Sequence, residues 1–352
     1  MSQNIYCNPK IFIEDFGIVE DISGNINISG NSQITSMSVT IEGIDLSQSA
    51  LMNKRVKFFL NHGSIDTVPY FMGLIKDVQP SDTKINLTAY DVRCLLGGEY
   101  ADNIILDGFN NYDGFTLSGF LVKYINENIN DKKEYIDTSR INDTNPPISM
   151  SGYRGENVKP YSVCLELLQM ATDESDIYDT FQYEIGVKYT SNSSQIVFIK
   201  EKSLTSLPSL HMSYGDGIKS YNYKKIKIPN RTRQEEILVD FGSTNTVRVT
   251  RDVTTHMAAQ NFRNTGSDMI SRAPIAKELL KALVKARQEK YTITINATKG
   301  HYVDLGSIIY LNVDEEINGP HRLVSKTVNF SRDGIDLSLG LEAKPNTLYN
   351  YA

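Results

Sequence analysis

Residues 77–91 read DVQPSDTKINLTAYD, and residues 327–341 read TVNFSRDGIDLSLGL. In the first stretch Gln79-Pro80-Ser81-Asp82 makes a turn, and Ile85, Leu87 and Ala89 alternate away from it as a half-buried strand should. Val78 falls on Val328, Ser81 on Ser331, Ile85 on Ile335, Leu87 on Leu337 and Thr88 on Ser338, all at one offset of 250 residues. Upstream, KFFLN (57–61) matches IIYLN (308–312), each followed by a polar turn and a proline (Pro69, Pro320), and Lys76 matches Lys326. VTIEG (39–43) resembles ITINA (293–297) more weakly. Any two β-meanders share alternating Ile, Leu and Val. Here the order of strand, proline, strand, Ser-containing turn and strand is shared as well, which reads as a duplicated β element. Two similar units in one chain place two equivalent surfaces around an axis, so three chains would present six.

The chain has 352 residues, room for two or three domains. Hydrophobic residues make up 40% and charged residues 22%, the balance of a globular protein with sizeable cores. No apolar run approaches the ~18–20 residues that span a bilayer, so no membrane insertion is expected. The opening MSQNIYCNPKIFIEDFG lacks the basic and apolar segments of a secretion signal. Cys7, Cys94 and Cys164 are odd in number and far apart, neither a disulfide framework nor a zinc signature. The expectation is a reduced protein made in a cytoplasm. A net charge of −6 argues against a dedicated nucleic-acid binder, whose affinity rests on Lys and Arg neutralising phosphates.

Residues 10–91 alternate in short runs such as INISG (26–30), ITSMSVTIEGI (34–44), KRVKFFL (54–60) and YFMGLIKDV (70–78), the pattern of a sandwich or barrel. The pattern then changes. Leu117, Phe120, Leu121, Tyr124 and Ile125 fall at helical spacing, predicting a helix over 116–129. A polar loop is expected over 130–157, and Pro160 should open a buried helix over 160–171. FQYEIGVKYT (181–190) and QIVFIKE (195–201) read as a hairpin. The β pattern resumes near 217, is interrupted by a helix over 274–290, and closes with strands from YTITINA (291–297) to GIDLSLGLE (334–342). The fold class expected is mainly β (α+β): a first barrel in 1–98, a helix–helix–hairpin insertion in 99–210, and a second barrel in 211–352.

Little of the sequence reads as chemistry. The five histidines (62, 211, 256, 301, 321) have no partner at metal-ligand spacing. No nucleophile elbow, HExxH or P-loop is present. Cys164, on an apolar helix, reads as core. The acidic clusters DESDIYD (173–179) and DEE (314–316) lack the spaced ligands and glycine of a calcium loop. We therefore assign no catalytic residue, no metal site and no cofactor.

One stretch stands apart: IKSYNYKKIKIPNRTR (218–233) has six basic residues and no acid, with two tyrosines interleaved. Aromatics among cations can stack on single-stranded nucleic acid. A strand carrying lysines along an exposed edge, or a protein interface, accounts for the pattern better. The candidate interface residues are Tyr221, Tyr223, Lys224, Lys225, Lys227 and Arg231.

The MGLIKDV…INLTAYD stretch (72–91), the helix–helix–hairpin insertion ending QIVFIKE, and GHYVDLGSIIYLNV…HRLVSKTVNFSRDGIDLSLGLE (300–342) together resemble the baseplate hub proteins of contractile phage tails, the late control D group and related hubs of phage-like particles. The resemblance covers most of the chain by order of elements, and its motifs are degenerate β patterns. It implies two tail-tube-like barrels per chain and a homotrimer between a hexameric tail tube and a trimeric central spike. The partners it implies are the tail tube protein, the central spike protein, the tape measure protein and the baseplate wedge, with DNA only in transit. It places the protein in the tail baseplate of a virion or phage-like particle assembled in a bacterial cytoplasm. A β-rich tail-tip hydrolase or carbohydrate-binding module is the competing reading, and it requires two carboxylates brought together in a cleft.

Overall fold

The computed structural model describes residues 7–343 except 31–32, 44–47, 61–66, 82, 98–100, 108–111, 113, 130–134, 145, 147, 151–152, 171–182, 201, 203–205, 227–229, 241–245, 256–289 and 333. The first β unit comprises β1 (Lys10–Ile13), β2 (Gly17–Val19), β3 (Ile22–Ser29), β4 (Ser36–Glu42), the short helix α1 (Gln48–Leu51), β5 (Arg55–Phe59), β6 (Phe71–Pro80) and β7 (Lys84–Tyr90). The insertion contains β8 (Ile104–Asp107), α2 (Leu117–Asn128), β9 (Ile136–Asp137), β10 (Arg154–Val158), α3 (Pro160–Met170), β11 (Tyr183–Tyr189) and β12 (Ser194–Lys200). The second unit comprises β13 (Leu210–Tyr214), β14 (Gly217–Ile226), β15 (Asn230–Asp240), β16 (Thr246–Thr255), β17 (Lys290–Ala297), β18 (Ile308–Asn312), β19 (Gly319–Ser331) and β20 (Gly334–Ala343).

Thirteen strands form one sheet, and six of them close into a barrel in the order β13-β14-β17-β20-β19-β18, with β18 returning to β13. The first unit has the order β3-β4-β7-β6-β5 and the second β14-β17-β20-β19-β18, every one of these pairings antiparallel. Five strands thus recur in the same spatial order and the same chain order. The register recurs too: Val78 faces Leu87 as Val328 faces Leu337, and Pro80 faces Ile85 as Phe330 faces Ile335. Each copy also carries a bulge in its longest strand, between Ile75 and Asp77 in β6 and between Leu323 and Ser325 in β19. A bulge bends a strand and lets a sheet curl toward closure.

The copies differ at their ends. β1 runs antiparallel to β5, whereas β13 runs parallel to β18, and the first unit adds β2 outside β1. The second unit closes on itself. The first, among the described residues, joins its neighbour through β3 and β19, paired from Ser29–Ser325 to Gly24–Phe330. One apolar core runs through both, and the rings of Phe58 and Phe330 meet at 4.5 Å between centroids. Gly24 makes that seam possible: a Cβ there would stand 2.0 Å from the Ser38 carbonyl oxygen and 3.0 Å from the Phe330 ring.

The insertion has its own core, in which Phe120, Tyr124 and Ile125 of α2 meet Leu167 and Leu168 of α3 and Ile185 of β11. All five apolar residues that predicted α2 are buried. Thr116 caps the helix by accepting a hydrogen bond from the Gly119 amide at 3.1 Å. Pro160 opens α3, where its missing N–H costs nothing. The expected loop over 130–157 holds more order than its polarity implied. β9 pairs in parallel with β12, and β10 pairs with β8. A two-residue strand has no period to read, and buried Tyr135 and Ile136 hold β9 through packing instead. The helix expected over 274–290 lies outside the described residues, except Lys290, which begins β17. Among the described residues no helix is long and apolar enough to cross a membrane.

Candidate assembly surface

The basic stretch begins on β14, where register decides which side chains turn inward. Tyr221 and Tyr223 lie opposite Ile295 and Ile293, two fully buried residues of β17, and both tyrosines pack partly buried against the barrel core. Their rings are therefore not a stacking platform. The Tyr223 hydroxyl donates to Glu316 Oε2 at 3.0 Å, and this hydrogen bond, ahead of burial, holds its pKa above the usual phenol value. Lys224 points outward opposite Thr292, and Lys225 sits opposite Tyr291 in the ladder. Lys219 pairs with Asp336 at 2.9 Å. Arg231 lies within β15, which pairs only with β16 among the described strands, and Lys227 lies outside the described residues. The run of cations is thus split between a barrel strand and a long hairpin.

β14 lies between β13 and β17, yet most of one side is open. β13 meets it only at Ser213–Gly217 and Tyr214–Ile218, so from Lys219 onward no described strand pairs with its outer edge. β6 has a matching opening. β5 pairs with it from Phe71 to Leu74, and the Asn53 amide and Lys54 carbonyl engage Ile75. From Asp77 to Pro80 only β7 lies beside it among the described strands. Both openings carry alternating side chains, with Val78 buried and Asp77 and Gln79 exposed on β6.

Two buried polar clusters fix how the units meet. Asp91, at the end of β7, accepts from Arg93 and from the Thr35 amide at 2.7 Å; the Arg93 guanidinium reaches Asp91 Oδ2 at 2.6 Å and the Ile185 carbonyl at 2.6 Å. Arg93 thereby ties the first β unit to hairpin β11–β12. Burial, the largest single influence, works against its charge, but the charge and hydrogen bonds of Asp91 together with Tyr161 and Tyr189 outweigh it, and the guanidinium pKa is raised. Sequence reading missed this pair, because Asp91 and Arg93 two residues apart match no motif.

The second cluster lies in a cleft of about 880 Å³ between hairpin β11–β12 and the seam of the two β units, lined by Tyr70, Glu184, Lys188, His301, Asp304 and Lys326 among others. Lys326 donates to the carbonyls of His301 at 2.9 Å and Val303 at 2.8 Å, and its ammonium sits 5.4 Å from the Tyr70 ring centroid. The Tyr70 hydroxyl donates to the same His301 carbonyl at 3.0 Å. Burial pushes the Lys326 pKa down to about 8, against the pull of Asp304. Of the cleft's carboxylates, Asp143 is tied to Arg140 Nε at 2.6 Å. Here the Lys326 ammonium binds backbone carbonyls and joins β19 to the 301–303 segment.

Among the described residues no three His, Cys, Asp or Glu side chains stand close enough to hold a metal ion. Cys164 is fully buried and burial raises its thiol pKa; Cys94 is pushed up to about 12 by burial. His321 is buried, with Nε2 2.6 Å from the Ile317 carbonyl, and burial lowers its pKa. His211 is exposed on β13 beside the Tyr310 ring.

No protein-family model and no curated protein matches this chain. Its fold is shared with solved structures. The tail protein from Neisseria meningitidis MC58 aligns over 96% of both chains with a TM-score of 0.65 at 14% identity. The 43 kDa tail protein of prophage MuSo2 from Shewanella oneidensis aligns over 96% of both chains at 0.59 and 10% identity. An E. coli component of the type VI secretion system, described as structurally similar to the T4 bacteriophage tail proteins gp27 and gp5, aligns at 0.56 and 10% identity over 96% of this chain and 77% of that one. A closed six-stranded β-barrel with further strands beside it is thus a fold this chain has in common with phage tail proteins.

Proposed function

We propose that the chain is a structural baseplate hub of a contractile phage tail or phage-like particle. In this reading three copies form an adaptor that joins a hexameric tail tube to a trimeric central spike, and the chain performs no catalysis. The observation that carries it is the doubled five-strand unit. Two copies of one β unit in a chain, placed side by side and joined through β3 and β19, let a threefold assembly offer six equivalent edges. The sharing of fold with phage tail proteins over nearly the whole chain supports the same reading. The duty is geometric, and the buried Arg93 and Lys326 joints supply the rigidity it needs. DNA would only pass through, and an acidic chain suits a lumen that must not retain phosphates.

Native mass spectrometry of the purified protein, run beside a cell-wall hydrolysis assay, tests the reading. Three copies and no hydrolysis are expected. A stable monomer that degrades cell wall would replace the hub with a tail-tip enzyme.

A further inference from the structure

The open edges of β14 and β6 are the counterparts of β3 and β19, the two edges that already pair within the chain, and the ladders show it. In the first unit Ile26 of β3 faces Met37 of β4, which faces Ala89 of β7. In the second unit Tyr221 of β14 faces Ile295 of β17, which faces Leu339 of β20. Ala89 and Leu339 are related by the repeat offset of 250, as are Val78 and Val328. Tyr221 is therefore the counterpart of Ile26, and Val78 the counterpart of Val328.

Inside one chain those two positions already meet: Ile26 lies opposite Val328 where β3 pairs with β19. The first unit thus offers its β3 edge to the second unit's β19. The second unit has an equivalent edge to offer, β14 from Lys219 onward. The first unit has an equivalent acceptor, β6 from Asp77 to Pro80. Within the chain neither is used by another described strand.

We propose that β14 of one copy pairs antiparallel with β6 of the next, repeating the internal seam between molecules, with Tyr221 opposite Val78 and Asn222 opposite Asp77. This rests on the hub reading above and deepens it, since it names the surface through which copies join. The occupant is a second copy of this chain, because β19, the counterpart of this acceptor, is already paired by the chain's own β3, and β14 is the counterpart of β3. The contact is head-to-tail, so it propagates around a ring and closes when the rotation per unit allows.

Side-chain parity agrees with the pairing. Val78 is buried and Tyr221 half-buried, so both turn to the core side, as Val328 and Ile26 do. Asp77 and Asn222 are both exposed, and the outward pair they would repeat is exposed Asn27 and half-buried Thr327, whose side chains bond at 3.0 Å. Lys224 shares the outward face with Asn222 and would lie diagonal to Asp77 across the new ladder, which gives the basic strand an acidic neighbour.

A disulfide trap tests the register. Residues directly opposite in an antiparallel ladder have Cβ atoms about 4.5–5.5 Å apart, within small adjustment of disulfide geometry. The variant carrying both Asp77→Cys and Asn222→Cys, oxidised and run on a non-reducing gel, is expected to give covalent dimers and trimers, and each single substitution none. The pair Gln79→Cys with Lys224→Cys, about 13 Å out of register, is expected to give none. Solution mass of the reduced double variant is measured in parallel. A trimer that fails to cross-link, or that cross-links only through the misregistered pair, overturns the seam and leaves the hub reading standing. A monomer overturns both.

Discussion

Val328 lies directly opposite Ile26 across the strand pairing that joins the two β units of this chain. Both are fully buried, and the Phe58 and Phe330 rings meet in the same core, tilted at 42° to each other. The joint between the duplicated units is thus a continuous sheet over a common core. A flexible tether would let the units turn independently, whereas this seam fixes one orientation between them. A protein that must present equivalent surfaces at defined angles needs that stiffness.

If the two units are one design used twice, equivalent positions should matter alike. Leu87 and Leu337 occupy the same register and are each about 2–3% exposed. Leu87→Ala and Leu337→Ala are each expected to cost about 2–5 kcal/mol, the usual range for emptying a core leucine site. Urea denaturation checks this. A large cost at one position with none at the other would mean the copies have diverged in what they bury.

Gly24 is expected to tolerate no side chain. Gly24→Val places a branched Cβ against the Ser38 carbonyl and the Phe330 ring, so β3 must shift at the seam. Reduced thermal stability together with faster amide exchange in β3 and β19 is the expected outcome, and unchanged exchange in both strands would contradict it.

The Asp91–Arg93 pair is 0% and 5% exposed at its side chains, so removing one partner leaves a buried charge. Arg93→Met is expected to destabilise by about 3–5 kcal/mol and to loosen hairpin β11–β12 from the first unit, read by limited proteolysis within the insertion. Lys84, whose ion pair with Glu42 is half exposed, serves as the control: Lys84→Ala should leave the unfolding midpoint unmoved.

Lys326 gives a dependence on pH whose sign can be worked out. Its pKa is lowered to about 8 in the folded protein, below the ~10.4 of an unfolded lysine. Between those values the unfolded chain binds more protons, so stability rises with pH through that window, by on the order of 3 kcal/mol. Below pH 8 the full cost of burying the charge is present. The difference in unfolding free energy between wild type and Lys326→Met should therefore move in favour of wild type from pH 8 to pH 10. A difference that stays flat would mean Lys326 is neutral already at pH 7 or is better solvated than its burial implies.

Much of this architecture is legible from the residues. The alternation of Ile85, Leu87 and Ala89 and its echo at Ile335, Leu337 and Leu339 reports strands with one buried face, and the constant offset reports the duplication. The spacing from Leu117 to Ile125 and the proline at 160 report two helices. Other parts depend on distant partners. β9 is held by a neighbour nearly sixty residues away along the chain, and Arg93 meets Ile185 across the insertion. The basic stretch points to a surface through its side chains alone. Tyr221 and Tyr223 turn inward, and what remains open among the described strands is the backbone edge of β14 from Lys219 onward, which composition does not reveal. Only the strand pairing of the folded sheet shows which strand edges lack a neighbour.

The central claim is that three copies of a doubled unit make a ring of six. Rotational averaging of end-on views of the purified protein by cryo-electron microscopy tests it most directly. The expected result is a closed ring of three molecules with six β lobes spaced nearly evenly around a central channel. A ring of any other order, or particles without a channel, would contradict it.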